Sequence, residues 1–291
     1  GPGGLQPYRD LVPIFQQTHP DIVVEMQTPD FGGDPTYLRS VAADSDCLQW
    51  FGSVTNEADR AAVLSMEPFL DADPDVGPAD FYPSAVEQFS YQGQLWAIPA
   101  EMNLTVLYYN KALFDEAALP YPSAGWTTDD FLAAAVALTR GDDPATKQYG
   151  YVPQEFELNE ITIFMERLNA QLVNEAIEPP QLTFTHPSVI EAMRWLTSLT
   201  TEYGVKPVFI TDITGSSTFA EERNNLIENG RAAMWVDQGF DSFPELDLSS
   251  LNIGIVPLPT GPDGTAVSTN SITGYYISAQ TEQRQACWEW I

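Results

Sequence analysis

Apolar residues spaced three or four apart predict an amphipathic helix at the start of the chain, ending near His19 and Pro20. These residues are Leu5, Tyr8, Leu11, Val12 and Phe15. The β-branched run from Ile22 to Met26 then predicts a buried strand, and a helix over 35–43 and a strand over 47–51 follow. This alternation of strands and helices is typical of an α/β domain with a largely parallel sheet.

The second half of the chain continues the alternation. Thr127 is the expected N-cap of a helix that begins with two acidic residues, where the helix dipole favours negative charge. Further helices are predicted over 160–172, 187–203, 219–229 and from residue 283, and strands over 149–152, 232–236, 253–258 and 275–278. The Pro- and Asp-rich segment 66–89 predicts a surface loop with short helical turns.

Residues 93–126 contain the most informative pattern. An apolar strand runs into Pro99, a polar loop with Glu101 and Asn103 follows, and a second apolar strand leads into a helix at Lys111. Two strands joined by a polar loop, with a sudden change of element, predict a crossing between two lobes. Residues 253–264 form a turn-rich segment that is the predicted return.

The charge balance narrows the range of partners. The 291 residues include 12 Lys and Arg against 41 Asp and Glu, a net charge of -29. A groove that follows phosphates needs clustered cations, so nucleic acid and anionic lipid are disfavoured. The charge favours solubility, or alternatively adaptation to a salty or acidic habitat. With 44% hydrophobic residues the chain can bury cores, and no apolar run is long enough to span a membrane.

Catalytic and metal-binding patterns are not found in the sequence. His19 and His186 each precede a proline at an element boundary, which indicates a structural position. Nucleophile-elbow, HExxH, P-loop and dinucleotide motifs are absent, so no catalytic residue, cofactor or metal is predicted. Paired carboxylates drawn from Glu101, Glu155 and Asp237 stay an open alternative. For Cys47 and Cys287, two buried thiols are favoured over one long-range disulfide.

Two tryptophans lie where predicted strands end. Trp50 ends one strand and Trp235 ends another, just before Asp237. Ligands of α/β sheets bind beyond the carboxyl ends of strands, and an aromatic face beside polar acceptors suits a sugar. Burial in the core is the alternative for each tryptophan.

Several segments resemble, in order, the family 1 extracellular solute-binding proteins of ABC transporters, which include maltose-type sugar binders. The matching segments are 8–22, 46–50, 93–111 with 113–117, 229–234, 253–259, 274–278 and 286–291. Members of the family usually begin with a strand before the first helix and continue past the tryptophan-rich helix. The sequence given starts at the helix and stops at Ile291, so we expect either that it is a fragment or that other segments replace those parts. No signal peptide is visible, which fits a leader removed before Gly1.

The resemblance implies an α/β, two-lobed periplasmic-binding-protein fold of type II, with a ligand cleft between lobes joined by a hinge. Lobe 1 would contain residues 1–105 and 259–291, and lobe 2 residues 106–258. Carried over by position, the residues implied to line the cleft are Gln49, Trp50, Glu101, Asn103, Trp235, Asp237, Gly274 and Tyr275.

The function implied is that of a non-enzymatic binding component of a bacterial ABC importer, without a cofactor. It would be monomeric and extracytoplasmic, either periplasmic or a membrane-anchored lipoprotein at the cell surface. It would capture a mono- or oligosaccharide, or a derivative, and deliver it to a membrane permease. A carbohydrate-active hydrolase with paired carboxylates and a ligand-binding sensor domain are the alternatives.

Overall fold

The chain divides into two compact units. The computed structural model describes residues 5–28, 36–154, 161–174 apart from 162 and 166, 181–209, 218–237, 248–261, 264 and 270–291. Unit 1 contains Gly1–Asn103 and Asn270–Ile291, and unit 2 contains Leu104–Thr269. The sequence predicts junctions after residues 105 and 258, and the units divide after residues 103 and 269.

Unit 1 packs short helices around a three-stranded sheet. Its helices are α1 Gln6–Thr18, α2 Tyr37–Asp44, α3 Glu57–Arg60, α4 Glu67–Ala72, α5 Pro83–Phe89 and α10 Arg284–Trp290, with a 3-10 turn at Pro78–Asp80. Its strands are β1 Cys47–Trp50, β4 Ile98–Leu104 and β10 Asn270–Ile277 in the order β1-β10-β4, beside a hairpin of β2 Ser90–Tyr91 and β3 Gln94–Leu95. The central strand thus comes from the end of the chain.

The segment from Met66 to Phe89 belongs to the core of unit 1. It contains the predicted short helices, but the prediction of a surface loop is wrong, because Met66, Leu70, Ala85 and Phe89 are buried. Phe89 packs edge-on against Tyr276 of β10, with ring centroids 6.0 Å apart. This contact holds α5 against the central strand.

The predicted strand from Ile22 to Met26 is not formed. Residues 22–28 carry no regular element, and Val23 is 75% exposed. Strand β1 pairs with β10 and is an edge strand of the described sheet, and the run from Ile22 is not among the strands of that sheet. Along residues 22–26, half-buried and exposed side chains alternate, although the segment is not paired with a described strand.

Unit 2 is built on the antiparallel sheet β8-β5-β9. The strands are β5 Val106–Asn110, β8 Met234–Asp237 and β9 Ile253–Val256, with a small hairpin of β6 Val173–Asn174 and β7 Gln181–Leu182. Its described helices are α6 Lys111–Glu116, α7 Thr128–Leu138, α8 Pro187–Thr201 and α9 Thr218–Glu228. Part of the predicted helix over 160–172 lies outside the described residues.

The expectation of a largely parallel sheet is wrong for the described pairings. Strand β10 runs antiparallel to β1, and β5 runs antiparallel to both β8 and β9. Parallel pairing occurs as isolated bridges, such as Val152 opposite Trp235. Because β5 enters its sheet directly from the crossing segment, it runs against strands that come from distant parts of the chain.

The predicted cap of α7 is confirmed. Thr127 Oγ1 accepts a hydrogen bond from the backbone N–H of Asp130 at 3.1 Å, and the Asp130 carboxylate accepts from the backbone N–H of Thr127 at 3.0 Å. The Thr127 hydroxyl also donates to the Asp130 carboxylate at 2.7 Å, and this bond, followed by the one from the Thr127 backbone N–H, holds the pKa of Asp130 below its usual value. The helix then buries Phe131, Ala135 and Leu138 in the core of unit 2.

We expect Thr127→Ala to lower the free energy of unfolding by about 1 kcal/mol, because the reciprocal cap is lost. Urea denaturation of both proteins measures the difference. Thr127→Ser, which keeps the capping hydroxyl, is the control and should change the free energy of unfolding little. A Thr127→Ala midpoint equal to that of the wild type would contradict the role of the cap.

Candidate functional site

Polar side chains meet on one face of the sheet in unit 1. We call Tyr8, Gln49, Glu101, Thr273 and Tyr275 the polar cluster. Gln49 on β1 lies directly opposite Tyr275 on β10. Thr273 precedes Tyr275 by two positions, so the pleat places both on the same face. Glu101 follows from β4, and Tyr8 reaches the group from α1.

Hydrogen bonds connect the members of the polar cluster. The Tyr8 hydroxyl lies 3.1 Å from Glu101 Oε1 and 3.3 Å from Gln49 Oε1, and its single proton is donated to one of them at a time. The Tyr275 hydroxyl donates to the Tyr8 oxygen at 3.3 Å, and Gln49 Nε2 donates to Thr273 Oγ1 at 3.0 Å. Glu101 and Gln49 are both exposed. The cluster therefore presents a pre-oriented carboxylate and amide to solvent.

The electrostatics of the polar cluster keep Tyr275 neutral. Burial raises the pKa of Tyr275 well above its usual value, and the hydrogen bond with Tyr8 and the charge of Glu101 raise it further. A neutral phenol is both a donor and an acceptor. The group therefore combines phenols, an amide, an alcohol and a carboxylate, the set that matches the alternating donors and acceptors of a polyol.

Aromatic rings gather at the carboxyl end of β1. Trp50 stacks on Phe51 with centroids 4.1 Å apart and tilts against Tyr37 at 5.0 Å. Phe51 is 54% exposed, whereas Trp50 is half-buried. We call Tyr37, Trp50 and Phe51 the aromatic group. The exposed ring of Phe51, one residue beyond β1, offers a flat apolar surface.

A pocket of about 660 Å³ opens beside β4 and also lies within unit 1. Its walls are the segment 79–85 and the strand residues 99–102, with Ile272 of β10. Glu101 belongs both to this pocket and to the polar cluster. Phe81 and Tyr82 contribute aromatic surface, and Tyr82 is 74% exposed.

Two further predicted residues of unit 1 differ in their accessibility. Asn103 is half-buried, and its side-chain amide has no hydrogen-bond partner among the residues that the structure describes. Gly274 is buried, and a Cβ placed on it would lie 2.9 Å from both Ala97 Cβ and a ring carbon of Phe89. The structure thus leaves Asn103 available and gives Gly274 a role in close packing of β10 on α5.

Trp235 of unit 2 lies in the core. It is 1% exposed and stacks on Tyr108 of β5 with centroids 5.7 Å apart. The two residues are cross-strand partners, which explains the stacking. The structure therefore does not present the indole on the surface of its unit.

Asp237 is also enclosed. Its carboxylate accepts a hydrogen bond from the Arg223 guanidinium at 3.2 Å, and the two side chains are 5% and 0% exposed. Arg223 also donates to the backbone oxygens of Pro153 at 3.0 Å and Val236 at 3.1 Å. Burial, and then the charge of Asp237, raises the pKa of the neighbouring Tyr108 to about 12. Asp237 thus has a structural partner that the sequence analysis does not identify.

Gln154 is a candidate that the sequence analysis missed. It follows the bridge between Val152 and Trp235 and is 7% exposed. Among the described residues, its Oε1 atom has no hydrogen-bond partner. Buried acceptors are normally satisfied, so an orphaned amide oxygen marks a place where a ligand or water completes the structure.

Tyr8 and Thr273 are two further residues that sequence reasoning missed. The helical spacing of Tyr8 predicts a place on the apolar face of α1. A tyrosine at such a position can lie in a core or at a surface, so the spacing alone does not indicate a site residue. The period of two along β10 contained the signal for Thr273, since it shares a face with Tyr275. For Tyr8, only the folded packing of α1 shows that its hydroxyl reaches Glu101.

Stability should decline in alkaline solution. Burial raises the pKa of Tyr276 and Tyr275, and the pKa of Tyr108 is raised to about 12. Their neutral forms are therefore favoured by folding. Stabilisation is complete below about pH 10 and is lost as the pH rises further, because the unfolded chain then releases these protons first.

Urea midpoints between about pH 9 and about pH 11 measure this loss. In Tyr276→Phe the decline should be shallower, although the variant starts from a lower stability because the hydrogen bond to the Gly52 carbonyl is lost. A wild-type midpoint that stays constant over this range would contradict the assignment.

Within the described parts of the chain, no three His, Cys, Asp or Glu side chains are grouped closely enough to hold a metal ion. The same residues include no helix with the length and hydropathy needed to cross a membrane. The arrangement in unit 1 is therefore one of hydrogen-bonding groups and aromatic surface.

Solved structures of other proteins have the same fold. The ABC substrate-binding protein Lmo0181 from Listeria monocytogenes, in complex with cycloalternan, superposes with a TM-score of 0.74 at 23% identity and covers 97% of this chain and 70% of its own. MalE3 of T. maritima, with bound maltose, gives 0.71 at 19% identity, covering 98% and 72%. The chain therefore has the α/β fold of the type II periplasmic binding proteins.

The sequence comparisons place the chain more narrowly. The profile of the bacterial extracellular solute-binding proteins matches residues 3–291, and the chain belongs to this family. A curated relative from Brucella abortus (strain 2308), named as a binding protein, is 24% identical over 203 residues, which are 68% of this chain and 46% of the relative. The chain thus spans about half the length of the curated relatives that it matches.

Proposed function

We propose that the chain captures a carbohydrate, a mono- or oligosaccharide or a derivative, for delivery to the membrane permease of an ABC importer. The observation that carries the proposal is the polar cluster of unit 1, and Phe51, just beyond β1, adds exposed aromatic surface to the same unit. Sugar rings have apolar faces that stack on aromatic side chains, and hydroxyl rims that need paired donors and acceptors. Both requirements are met within unit 1.

The properties of relatives support the choice of a carbohydrate. The Listeria protein is described in complex with cycloalternan and MalE3 with maltose, and a solute-binding protein from Agrobacterium vitis S4 holds D-mannitol. The charge of the chain, with 12 Lys and Arg against 41 Asp and Glu, argues against an anionic solute. We therefore propose neutral sugars and polyols as the first candidates.

The proposed protein acts without catalysis, as a monomer, outside the cytoplasm. It is either periplasmic or attached to the cell surface through a lipid. In this proposal the solute binds a closed state more tightly than an open one, and that difference in affinity drives closure. The cleft between lobes and the hinge stay predictions, and a smaller radius of gyration with the sugar in small-angle scattering is the expected result.

A thermal-shift screen with cycloalternan, maltose, mannitol and a series of neutral oligosaccharides tests the function. A sugar at about 100 times its Kd should stabilise the protein by about 2.7 kcal/mol, which is readily measured as a rise in Tm. Chromatography of the same sugar after incubation should show it unchanged. Release of a shorter sugar would support the hydrolase instead, and no shift with any sugar would overturn the proposal.

We expect Asn103→Ala to weaken binding of the sugar found in that screen by about 3- to 10-fold, since one hydrogen bond is lost. The free energy of unfolding should change by less than about 0.5 kcal/mol, because the amide has no partner among the described residues. Calorimetric titration measures the affinity. Unchanged affinity would remove Asn103 from the proposed site.

A further inference from the structure

The two cysteines of the chain meet in the core of unit 1. Cys47 is the first residue of β1, and Cys287 lies in α10 near the other end of the chain. Cys47 and Cys287 belong to the same hydrophobic core of unit 1, and each thiol shifts the pKa of the other, that of Cys47 downward and that of Cys287 upward. Both sulfurs are free thiols in this structure. A disulfide between them requires the sulfurs to approach to about 2.0 Å.

The surroundings fix this pairing from both sides. Cys47 lies opposite Ile277 in the ladder of β1 and β10. Just beyond that pair, the backbone N–H of Ser278 donates to the Asp46 oxygen at 2.9 Å, and the Thr281 hydroxyl donates to the Asp46 carboxylate. The turn that leads into α10 is therefore tied to the residue before Cys47, and Cys287, 3% exposed, is held in the same core.

The location of the family supplies the chemical setting. The chain belongs to a family of extracellular proteins, and disulfides form and persist outside the cytoplasm. We propose that Cys47 and Cys287 form a disulfide bond in the mature protein. The bond would join the two segments of unit 1 covalently and enclose all of unit 2 within the loop that it closes.

The reaction needs an oxidant of the disulfide class, either a protein disulfide or oxidised glutathione. The Cys47 thiolate attacks one sulfur of that disulfide and expels the other as a thiolate, which takes up a proton. Cys287 then loses its proton and attacks the Cys47 sulfur, which releases the second oxidant sulfur as a thiol. Two thiols of this chain are oxidised, and one disulfide of the oxidant is reduced to two thiols.

The two cysteines are suited to different steps. Cys47 is half-buried, whereas Cys287 is buried, so the oxidant reaches Cys47 first. The Cys287 thiol lowers the pKa of Cys47 against the opposing effects of burial and Asp46. The Cys47 thiol and burial raise the pKa of Cys287. Cys47 is therefore the attacking residue and Cys287 the resolving one.

The test compares the wild-type chain after treatment with oxidised glutathione and after treatment with dithiothreitol. Titration of free thiols in denaturant should find none in the oxidised protein and two in the reduced one. Peptide mapping without reduction should recover a peptide pair that joins Cys47 to Cys287. The oxidised protein should unfold at a Tm higher by about 5 °C or more.

The variants Cys47→Ser and Cys287→Ser are the matched controls. Each should keep one titratable thiol, and the Tm of each should not respond to dithiothreitol. Two thiols that stay titratable in the oxidised wild type, a disulfide between two copies on a non-reducing gel, or equal Tm values in both redox states would overturn the proposal. The wild-type comparison stands even if a variant fails to fold. Sugar binding does not enter the measurement, so its outcome is separate from the proposed function.

Discussion

Replacing Arg223 by alanine is expected to lower the free energy of unfolding by about 3–5 kcal/mol. Arg223 is fully buried, and its guanidinium pairs with Asp237 at 3.2 Å. The variant leaves the Asp237 carboxylate buried without its cation, and the backbone oxygens of Pro153 and Val236 lose a donor. Isolated charges in a core are costly because water no longer solvates them.

Arg140→Ala is the matched control for Arg223→Ala. Arg140 lies in the same unit and pairs with Glu116 at 3.8 Å, but the two side chains are 47% and 62% exposed. Solvent screens such a pair, so its loss should cost less than about 1 kcal/mol. Urea denaturation of the three proteins provides the comparison. Similar losses in the two variants would show that burial of the Arg223 pair has no special weight.

Replacing Glu101 by glutamine should reduce the affinity for the bound sugar by about 10-fold or more. Glu101 is the one residue shared by the polar cluster and the pocket beside β4. Hydrogen bonds to a charged group contribute about 1.5–3 kcal/mol, and 1.4 kcal/mol is a factor of ten. The substitution keeps the size of the side chain, so a loss of affinity reports on charge and hydrogen bonding.

Two variants separate this effect from its alternatives. Tyr8→Phe keeps the carboxylate but removes the hydroxyl that donates to it, so a smaller loss of affinity is expected. Glu191→Gln removes the same charge from an exposed position on α8 and should leave the affinity unchanged. Calorimetric titration with the sugar from the thermal-shift screen measures all three. Wild-type affinity in Glu101→Gln would exclude this carboxylate from the site.

Local sequence signals predicted the local structure well. The cap formed by Thr127 and Asp130 needs only residues three positions apart, and it is present. Strands β5 and β9 begin where their apolar runs begin, at Val106 and Ile253. The resemblance to a known family supplied the fold class, which the structural neighbours confirm.

Pairing between distant segments was harder to predict. The run from Ile22 to Met26 has the composition of a strand, but no partner strand lies beside it in the described sheet. Whether an apolar run becomes a strand depends on what the rest of the chain places next to it. The antiparallel direction of β5 depends in the same way on segments more than a hundred residues away.

The candidate site also contains residues that the sequence predicts correctly and residues whose burial depends on distant segments. The family resemblance implies Gln49, Glu101 and Tyr275 as site residues, and the structure brings them together in unit 1. Trp235 and Asp237 are implied on the same grounds, but a cross-strand tyrosine and a buried arginine enclose them. A strand end shows where a side chain starts, whereas its neighbours decide whether it reaches solvent.

The order of strands in unit 1 has a consequence for biosynthesis. Strand β10, made after all of unit 2, lies between β1 and β4, which are made early. A ribosome-bound chain can therefore complete the continuous unit 2 before the sheet of unit 1 closes. Until then β1 and β4 have open edges, which are surfaces for mispairing with other chains. We infer that unit 1 is the later of the two units to fold.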